Sequence, residues 1–258
     1  MKIVQIGTGG WGKNHSRVLS EFGVLSAICD TNPKLAEELG KKYSVNFYDS
    51  IENLLEREEF DAALICTPTS THTEIASRLI ENKKHVFVEK PLTYLSEDGQ
   101  KLIETAKKNN IILTCGYIER FNPAVATVKD FLKSKKYGDL IRLEFYREHR
   151  MPQHIKDVGI IYDTSVHDID TALWLFDEVP DVVFAIAGSI NHEHEDFATI
   201  MLGFKDNKNA TISSNWITPT RVRNFNAVCT DARIFSNFIT QEIRIETNNG
   251  TENPKNEK

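Results

Sequence analysis

Lys2-Ile3-Val4-Gln5-Ile6-Gly7-Thr8-Gly9-Gly10-Trp11-Gly12 decides how this chain is read. An apolar run of strand length is followed at once by G-x-G-x-x-G, and Lys13 to Ser20 then has the pattern of a helix. Val24 to Cys29 is a second strand-like run, and it ends in Asp30. Strand, glycine turn, helix, strand and acid, in that order, form the fingerprint of a dinucleotide site.

Each part of the fingerprint has a physical task. Gly7 permits a tight turn. Gly9 lets backbone approach a pyrophosphate, and Gly12 lets helix pack close on strand. Thr8, Gly10 and Trp11 complete the cradle. The helix N-terminus turns N–H groups and a partial positive charge towards phosphates. Asp30 is placed to accept hydrogen bonds from the adenosine ribose. A carboxylate there repels a 2′-phosphate, and Thr31-Asn32-Pro33 brings no arginine to receive one. Lys34 is the nearest cation. NAD is therefore expected, in preference to NADP.

Working outward, the strand–helix alternation continues. Helices are expected over Pro33–Lys42, Ile51–Glu58, Thr71–Asn82 and Ser96–Asn109. Strands are expected at Val45–Tyr48, Asp61–Thr67, His85–Lys90 and Ile111–Gly116. Asp61–Thr67 is continuously apolar in its middle, as in a parallel sheet covered on both faces. The expectation is a doubly wound parallel α/β sheet built of right-handed βαβ units.

The grammar changes near Arg120. Helices at Pro123–Ser134 and Thr164–Phe176 are joined by strand-like runs at Leu140–His149, Val182–Ala187, Phe197–Phe204, Asn209–Trp216, Phe225–Thr230 and Glu242–Glu246. Short turns between strands, such as Lys205-Asp206-Asn207-Lys208, indicate an antiparallel or mixed sheet. Two domains are expected, 1–120 and 121–258, with Asn248–Lys258 as a frayed polar tail.

Composition narrows the class. The chain has 258 residues, 40% hydrophobic and 26% charged, with a net charge of −6. That balance is ordinary for a globular protein and opposes a nucleic-acid role, which calls for a basic face. The apolar runs are far shorter than a membrane span, and the N-terminus lacks a signal-peptide core, so a cytoplasmic protein is expected. Cys29, Cys66, Cys115 and Cys229 show no C-x-x-C spacing; they read as free thiols, with no metal site.

Two clusters could carry chemistry. Glu89-Lys90-Pro91 ends a parallel strand, where open α/β sheets bind ligands. Lys90 there can hydrogen-bond a substrate hydroxyl or join proton transfer, and Pro91 fixes the backbone, with a cis bond as one form. Asp163, His167 and Asp170 fall at helical spacing on one face, so His167 is a candidate general acid/base with a carboxylate to orient it. A solvated helix start is the plain alternative. His72 follows Thr67-Pro68 at another strand end, positioned either to contact ribose or phosphate or to cap the next helix. His192-Glu193-His194-Glu195-Asp196 resembles a metal tract but bridges two strands, and reads as a charged loop.

Taken in order, these motifs resemble the Gfo/Idh/MocA oxidoreductases. The resemblance rests on Gly7 to Gly12, Thr67-Pro68 with His72, Glu89-Lys90-Pro91, Gly116 with Arg120-Phe121-Asn122-Pro123, and Asp163 with His167 and Asp170. It implies a Rossmann domain followed by an α/β domain with a largely antiparallel open sheet. It implies that Lys90 and His167 are the catalytic pair, supported by Asp163, with the choice of base open between the two. Tyr117, Arg120, Asn122, Asp163 and His167 are then expected to line the substrate, and Glu89 the cofactor. The implied substrate is a sugar or polyol oxidised at a ring hydroxyl, a UDP-sugar such as UDP-N-acetylglucosamine at its 3-position being one expectation. A dinucleotide-sensing regulator and a biliverdin- or dihydrodiol-type reductase share the layout. The second sheet is expected to support a homodimer or homotetramer. Family members usually continue into helical sequence beyond the last strand, which this chain is expected to lack.

Overall fold

A computed structural model describes residues 1–152, 155 and 158–254. The chain divides into two compact units, Met1–Gly116 and Tyr117 onward.

In the first unit six parallel strands lie in the order β3-β2-β1-β4-β5-β6: β1 (Ile3–Ile6), β2 (Leu25–Cys29), β3 (Asn46–Tyr48), β4 (Ala62–Ile65), β5 (His85–Val88) and β6 (Leu113–Cys115). Five helices connect them: α1 (Gly10–Glu21), α2 (Pro33–Tyr43), α3 (Ile51–Arg57), α4 (His72–Glu81) and α5 (Ser96–Asn109). The apolar runs became strands because both faces are covered; Val4, Ala27, Ala63 and Val86 are buried on one face, and Ile28 and Leu64 on the other. Caps fix the helix starts. Asn32 accepts from the N–H groups of Lys34 and Leu35 ahead of Pro33, and Ser50 accepts from Asn53. The strand order reverses between β1 and β4, so the carboxyl ends of β2, β1, β4 and β5 stand side by side.

The second unit begins with α6 (Pro123–Lys133), and α7 (Val166–Phe176) follows a π-helical turn over Ile161–Ser165. Its eight-stranded sheet runs β14-β13-β12-β11-β7-β10-β9-β8, with β7 (Leu140–Glu148), β8 (Val182–Gly188), β9 (Phe197–Gly203), β10 (Asn209–Asn215), β11 (Val222–Cys229), β12 (Ala232–Asn237), β13 (Ile243–Thr247) and β14 (Gly250–Glu252). The β7–β10 pair is parallel; the other neighbours are antiparallel. Leu143, Phe145, Ile200, Ile212, Phe225 and Ile234 point to the side that packs with α6 and α7. The opposite side is open. On it Phe184 pairs with Met201 and Ile186 with Thr199, and Val182, Phe184, Ile186 and Met201 are all exposed.

Two elements differ from the sequence reading. β12 pairs with β11 and β13 in a stretch that carried no strand expectation. Gly250–Glu252, expected as part of a frayed tail, is the edge strand β14 held by β13. Residues 255–258 of that tail lie outside the described residues. No helix among the described residues is long and apolar enough to cross a membrane.

Candidate active site

The glycine turn has the geometry its sequence demands. Gly7 adopts φ +81°, and a Cβ there would fall 2.6 Å from the carbonyl oxygen of Cys66. A Cβ on Gly12 would fall 2.1 Å from the carbonyl oxygen of Gly7, so only glycine lets α1 start this close to β1. Beside Gly9 and Gly10 the space is open. The N-terminus of α1 has no side-chain cap, which leaves its first N–H groups to a ligand. Trp11 stands exposed in the first turn, tilted against the His15 ring.

Asp30 ends β2 and is locked in place. Its Oδ2 accepts from Thr8 N (2.7 Å) and Thr8 Oγ1 (2.6 Å), and its Oδ1 accepts from Asn32 N (2.8 Å). Gly7, Thr8, Asp30, Cys66, Thr67 and Pro68 line a cavity of ≈290 Å³ at these strand ends. A fixed carboxylate, an uncapped helix start and open space at Gly9 fit an NAD-type dinucleotide.

The end of β5 holds a second group. Glu89 Oε1 lies 2.8 Å from Nε2 of His15, its Oε2 accepts from the backbone N of Lys90 (3.1 Å), and Gly116 packs on its carboxylate. The Lys90–Pro91 bond is cis. His15 reaches across from α1, edge-on to Phe87. His15 belongs to none of the motifs singled out in the sequence; its position three residues past Gly12, on the helix that opens at the glycine turn, is the available signal.

Cys66, at the end of β4, also comes within this group. One donor atom from each of His15, Cys66 and Glu89 lies within 4.8 Å of the others, the one such group of metal-capable side chains among the described residues. Burial pushes the Cys66 thiol up to about 12, opposed by a hydrogen bond with Gln5 and aided by the Glu89 charge.

His72 takes a place other than the one expected. It is 1% exposed, and its two ring nitrogens face backbone carbonyls, Pro91 O at 2.8 Å and Thr67 O at 3.0 Å. The ring is buried between the ends of two neighbouring strands, where a neutral imidazole donates its one N–H to one of these two carbonyls.

In the second unit the π-helical turn carries Asp163, and α7 carries His167, Asp168 and Asp170. A π turn inside helical sequence is a common mark of a functional segment. It is held from below by side chains of the charged loop over residues 192–196 and by Trp216. Glu195 accepts from Ile161 N (3.2 Å), with its carboxylate against Gly159. Asp196 accepts from Ile190 N and Asn191 N and closes the loop. Trp216 Nε1 donates to Thr164 Oγ1 (3.2 Å), and Thr164 Oγ1 donates to Asp163 Oδ2 (3.1 Å).

Two arginines fix α7. Arg120 donates through Nε and Nη2 to Asp170 (2.8 and 2.6 Å) and lies over the Tyr117 ring. Arg147, on β7, donates to both oxygens of Asp168 and, through Nη1, to Glu119 (3.0 Å). Burial works against the charge of Arg147, and the Asp168 and Glu119 carboxylates outweigh it and raise its pKa. Asn122, expected at the substrate, is used internally. Its side-chain oxygen accepts from Ala124 N as the cap of α6, and its amide donates to Phe238 O (3.0 Å) and to Glu119 (3.3 Å). A larger cavity, ≈730 Å³, lies between α6, β7 and α7 around Lys129, Asp139, Trp174 and Lys208, and none of the expected site residues lines it. The smaller cavity is instead lined by residues expected at the cofactor, Gly7, Thr8, Gly9, Asp30, Thr67 and Pro68.

Comparisons with known proteins agree with this geometry. Residues 1–117 match the family model described as oxidoreductase family, NAD-binding Rossmann fold, and residues 125–235 match the GFO/IDH/MocA C-terminal domain. The UDP-N-acetylglucosamine 3-dehydrogenase of Acidithiobacillus ferrooxidans is 26% identical over 245 residues, covering 95% of this chain and 76% of that protein. The myo-inositol 2-dehydrogenase of Thermotoga maritima is 31% identical over 219 residues, covering 80% of this chain and 65% of its own length. The solved structure of the Acidithiobacillus enzyme superposes with a TM-score of 0.91 over 100% of this chain and 83% of that one. With both units matched in order, and with the glycine turn, the fixed Asp30 and the Glu89-Lys90-Pro91 strand end in place, the chain belongs to the Gfo/Idh/MocA oxidoreductase family.

Proposed function

We propose that this chain is an NAD-dependent dehydrogenase that oxidises a ring hydroxyl of a sugar, with a UDP-sugar such as UDP-N-acetylglucosamine, at its 3-position, as substrate. The observation that carries the cofactor choice is Asp30. Its carboxylate is held by Thr8 at the rim of the cavity, where it would receive ribose hydroxyls and repel a 2′-phosphate. The substrate choice is supported by the likeness to the Acidithiobacillus enzyme along nearly the whole chain.

The proposed chemistry removes a hydride and a proton from one CH–OH group. When bound, NAD supplies the hydride acceptor. Gly7 to Gly12 and the start of α1 hold its phosphates. Lys90 polarises the hydroxyl oxygen, and either Lys90 or His167 takes the proton, with Asp163 beside the His167 helix start to orient it. Glu89 anchors the turn that presents Lys90, through its bonds to His15 and to the Lys90 backbone.

The test is NADH absorbance on mixing the protein with NAD and a panel of UDP-sugars, free sugars and inositols. Reduction with UDP-N-acetylglucosamine is expected, and Lys90→Ala should lower turnover by about 10² while NAD affinity stays nearly unchanged. Unchanged turnover in that variant refutes the role of Lys90. The 31% identity to an inositol dehydrogenase favours a second reading, a polyol substrate, which reduction by inositol alone would establish.

The open face of the second sheet supports a further part of the proposal, association with a second copy of the chain. Val182, Phe184, Ile186 and Met201 form an exposed apolar strip on β8 and β9. Phe184→Glu should convert the assembly to monomer in light scattering. A wild type that is already monomeric excludes it.

A further inference from the structure

We propose that His15, Cys66 and Glu89 form a binding site for a zinc-type divalent ion at the carboxyl edge of the first sheet. The three residues come from separate elements, the middle of α1, the end of β4 and the end of β5. The fold, rather than sequence proximity, brings them together. One donor atom from each lies within 4.8 Å of the other two, and His15 Nε2 and Glu89 Oε1 are 2.8 Å apart.

Zinc takes a thiolate at about 2.3 Å and imidazole or carboxylate at about 2.0–2.2 Å in a tetrahedron, which sets donor–donor separations of roughly 3.2–3.7 Å. The pair at 2.8 Å must therefore open by about half an ångström, and the third donor close by at most about one. The mobility needed is small. Cys66, His15 and Glu89 are only partly buried, and no covalent link holds them. The donor set, one soft sulfur, one imidazole and one carboxylate, suits zinc and cobalt(II) and disfavours magnesium or calcium, which prefer oxygen alone.

Three protein ligands leave a fourth position for water or a ligand atom. Cys66 also lines the ≈290 Å³ cavity, so the ion would sit against that cavity's wall. Binding exchanges one S–H bond for one S–metal bond. The Cys66 proton passes to solvent, and the imidazole presents Nε2 to the metal with its proton on Nδ1. No redox change occurs.

Two of the three donors are steadied from behind. The His15 ring is fixed by Phe87 on its edge and by Trp11. The Glu89 carboxylate has Gly116 against it and a backbone N–H on Oε2, so Oε1 alone turns to the cluster. Ligands steadied from behind in this way lose little freedom on binding.

The experiment uses the full chain, stripped with a chelator and free of dinucleotide. It is titrated with cobalt(II) while a near-ultraviolet thiolate-to-cobalt band is followed, then with zinc against a chromophoric chelator. The expected result is one ion per chain and a charge-transfer band that zinc displaces. Cys66→Ser should abolish the band, and Cys66→Ser and His15→Gln should each weaken zinc binding by about 100-fold or more, beyond what loss of a supporting contact costs. Absence of the band in the wild type, or zinc affinity equal to that of a folded Cys66→Ser, overturns the site, and the first result does not depend on whether the variants fold. Because the titration omits NAD and substrate, its outcome is separate from that of the dehydrogenase assignment.

Discussion

Arg147 and Asp168 form a two-pronged ion pair in which each side chain is 1% exposed, and this pair ties the helix that bears His167 to the central strand of the second sheet. Removing one partner leaves a buried charge unanswered. Arg147→Met should cost about 3–5 kcal/mol in urea unfolding, whereas Arg147→Met with Asp168→Leu should regain most of it. A single-variant cost below about 1 kcal/mol would show that the pair contributes little.

The glycine turn separates folding from binding. In Gly12→Ala the new methyl meets the Gly7 carbonyl, so both stability and dinucleotide affinity should fall, stability by about 1–3 kcal/mol. In Gly9→Ala the methyl meets only open space, so the melting temperature should hold while NADH titration shows weakened binding. Equal behaviour of the two variants in both measurements would contradict the assignment of that space to a ligand.

Asp30 should set cofactor preference. Asp30→Ala with Thr31→Arg removes the carboxylate and supplies a guanidinium for a 2′-phosphate, so the ratio of NAD to NADP affinity should shift towards NADP by about two orders of magnitude. Asp30→Ala alone also strips Thr8 of both its bonds and should loosen the turn. A double variant that keeps its preference for NAD would locate the selectivity elsewhere.

His149 makes the second unit sensitive to acid. Burial holds its pKa below the ordinary 6.5, with Arg223 and Arg221 adding to that and the Arg150 carbonyl and Asp163 opposing. The folded ring therefore binds its proton more weakly than the unfolded chain does, and stability falls as pH drops below about 6.5, the loss ending at the lower folded pKa. Above 6.5 the ring contributes no pH dependence. His149→Gln should flatten the stability curve just below about pH 6.5 in urea titrations; an unchanged slope would assign the acid loss to other groups.

Much of the fold was legible because its strands are driven by local pattern. Val4, Ala63 and Val86 sit in apolar runs buried on both faces, and Asn32-Pro33 announces a helix start. β12 lacked a strand signal because Ala232 to Asn237 places arginine and asparagine outward and a serine, Ser236, inward, and β14 because its three residues are all exposed. At the site, the glycine turn and Asp30 were legible since one βαβ unit contains them all. The contact of His72 with the Pro91 carbonyl and the support of the π turn by Glu195 were not, because each depends on groups far apart in sequence. Asn122-Pro123 carries the same local cap signal as Asn32-Pro33, and what it hides is the reach of the Asn122 amide to Phe238. The meeting of His15, Cys66 and Glu89 needed the strand order as well as the strands.

The parallel pairing of β7 with β10 bears on how the chain matures. In the first unit every strand finds its neighbour by Gly116, so that unit can close while the rest is still being synthesised. β7 emerges next, yet its two neighbours are β10 and β11: Arg142 must wait for Asn209 on one side and Val228 on the other. Until then Leu143 and Phe145 have no sheet to enter, and both edges of the strand are bare. The second half of the molecule therefore commits late and nearly all at once, which makes the interval between translation of β7 and of β11 the period of greatest exposure to aggregation and of greatest dependence on chaperones.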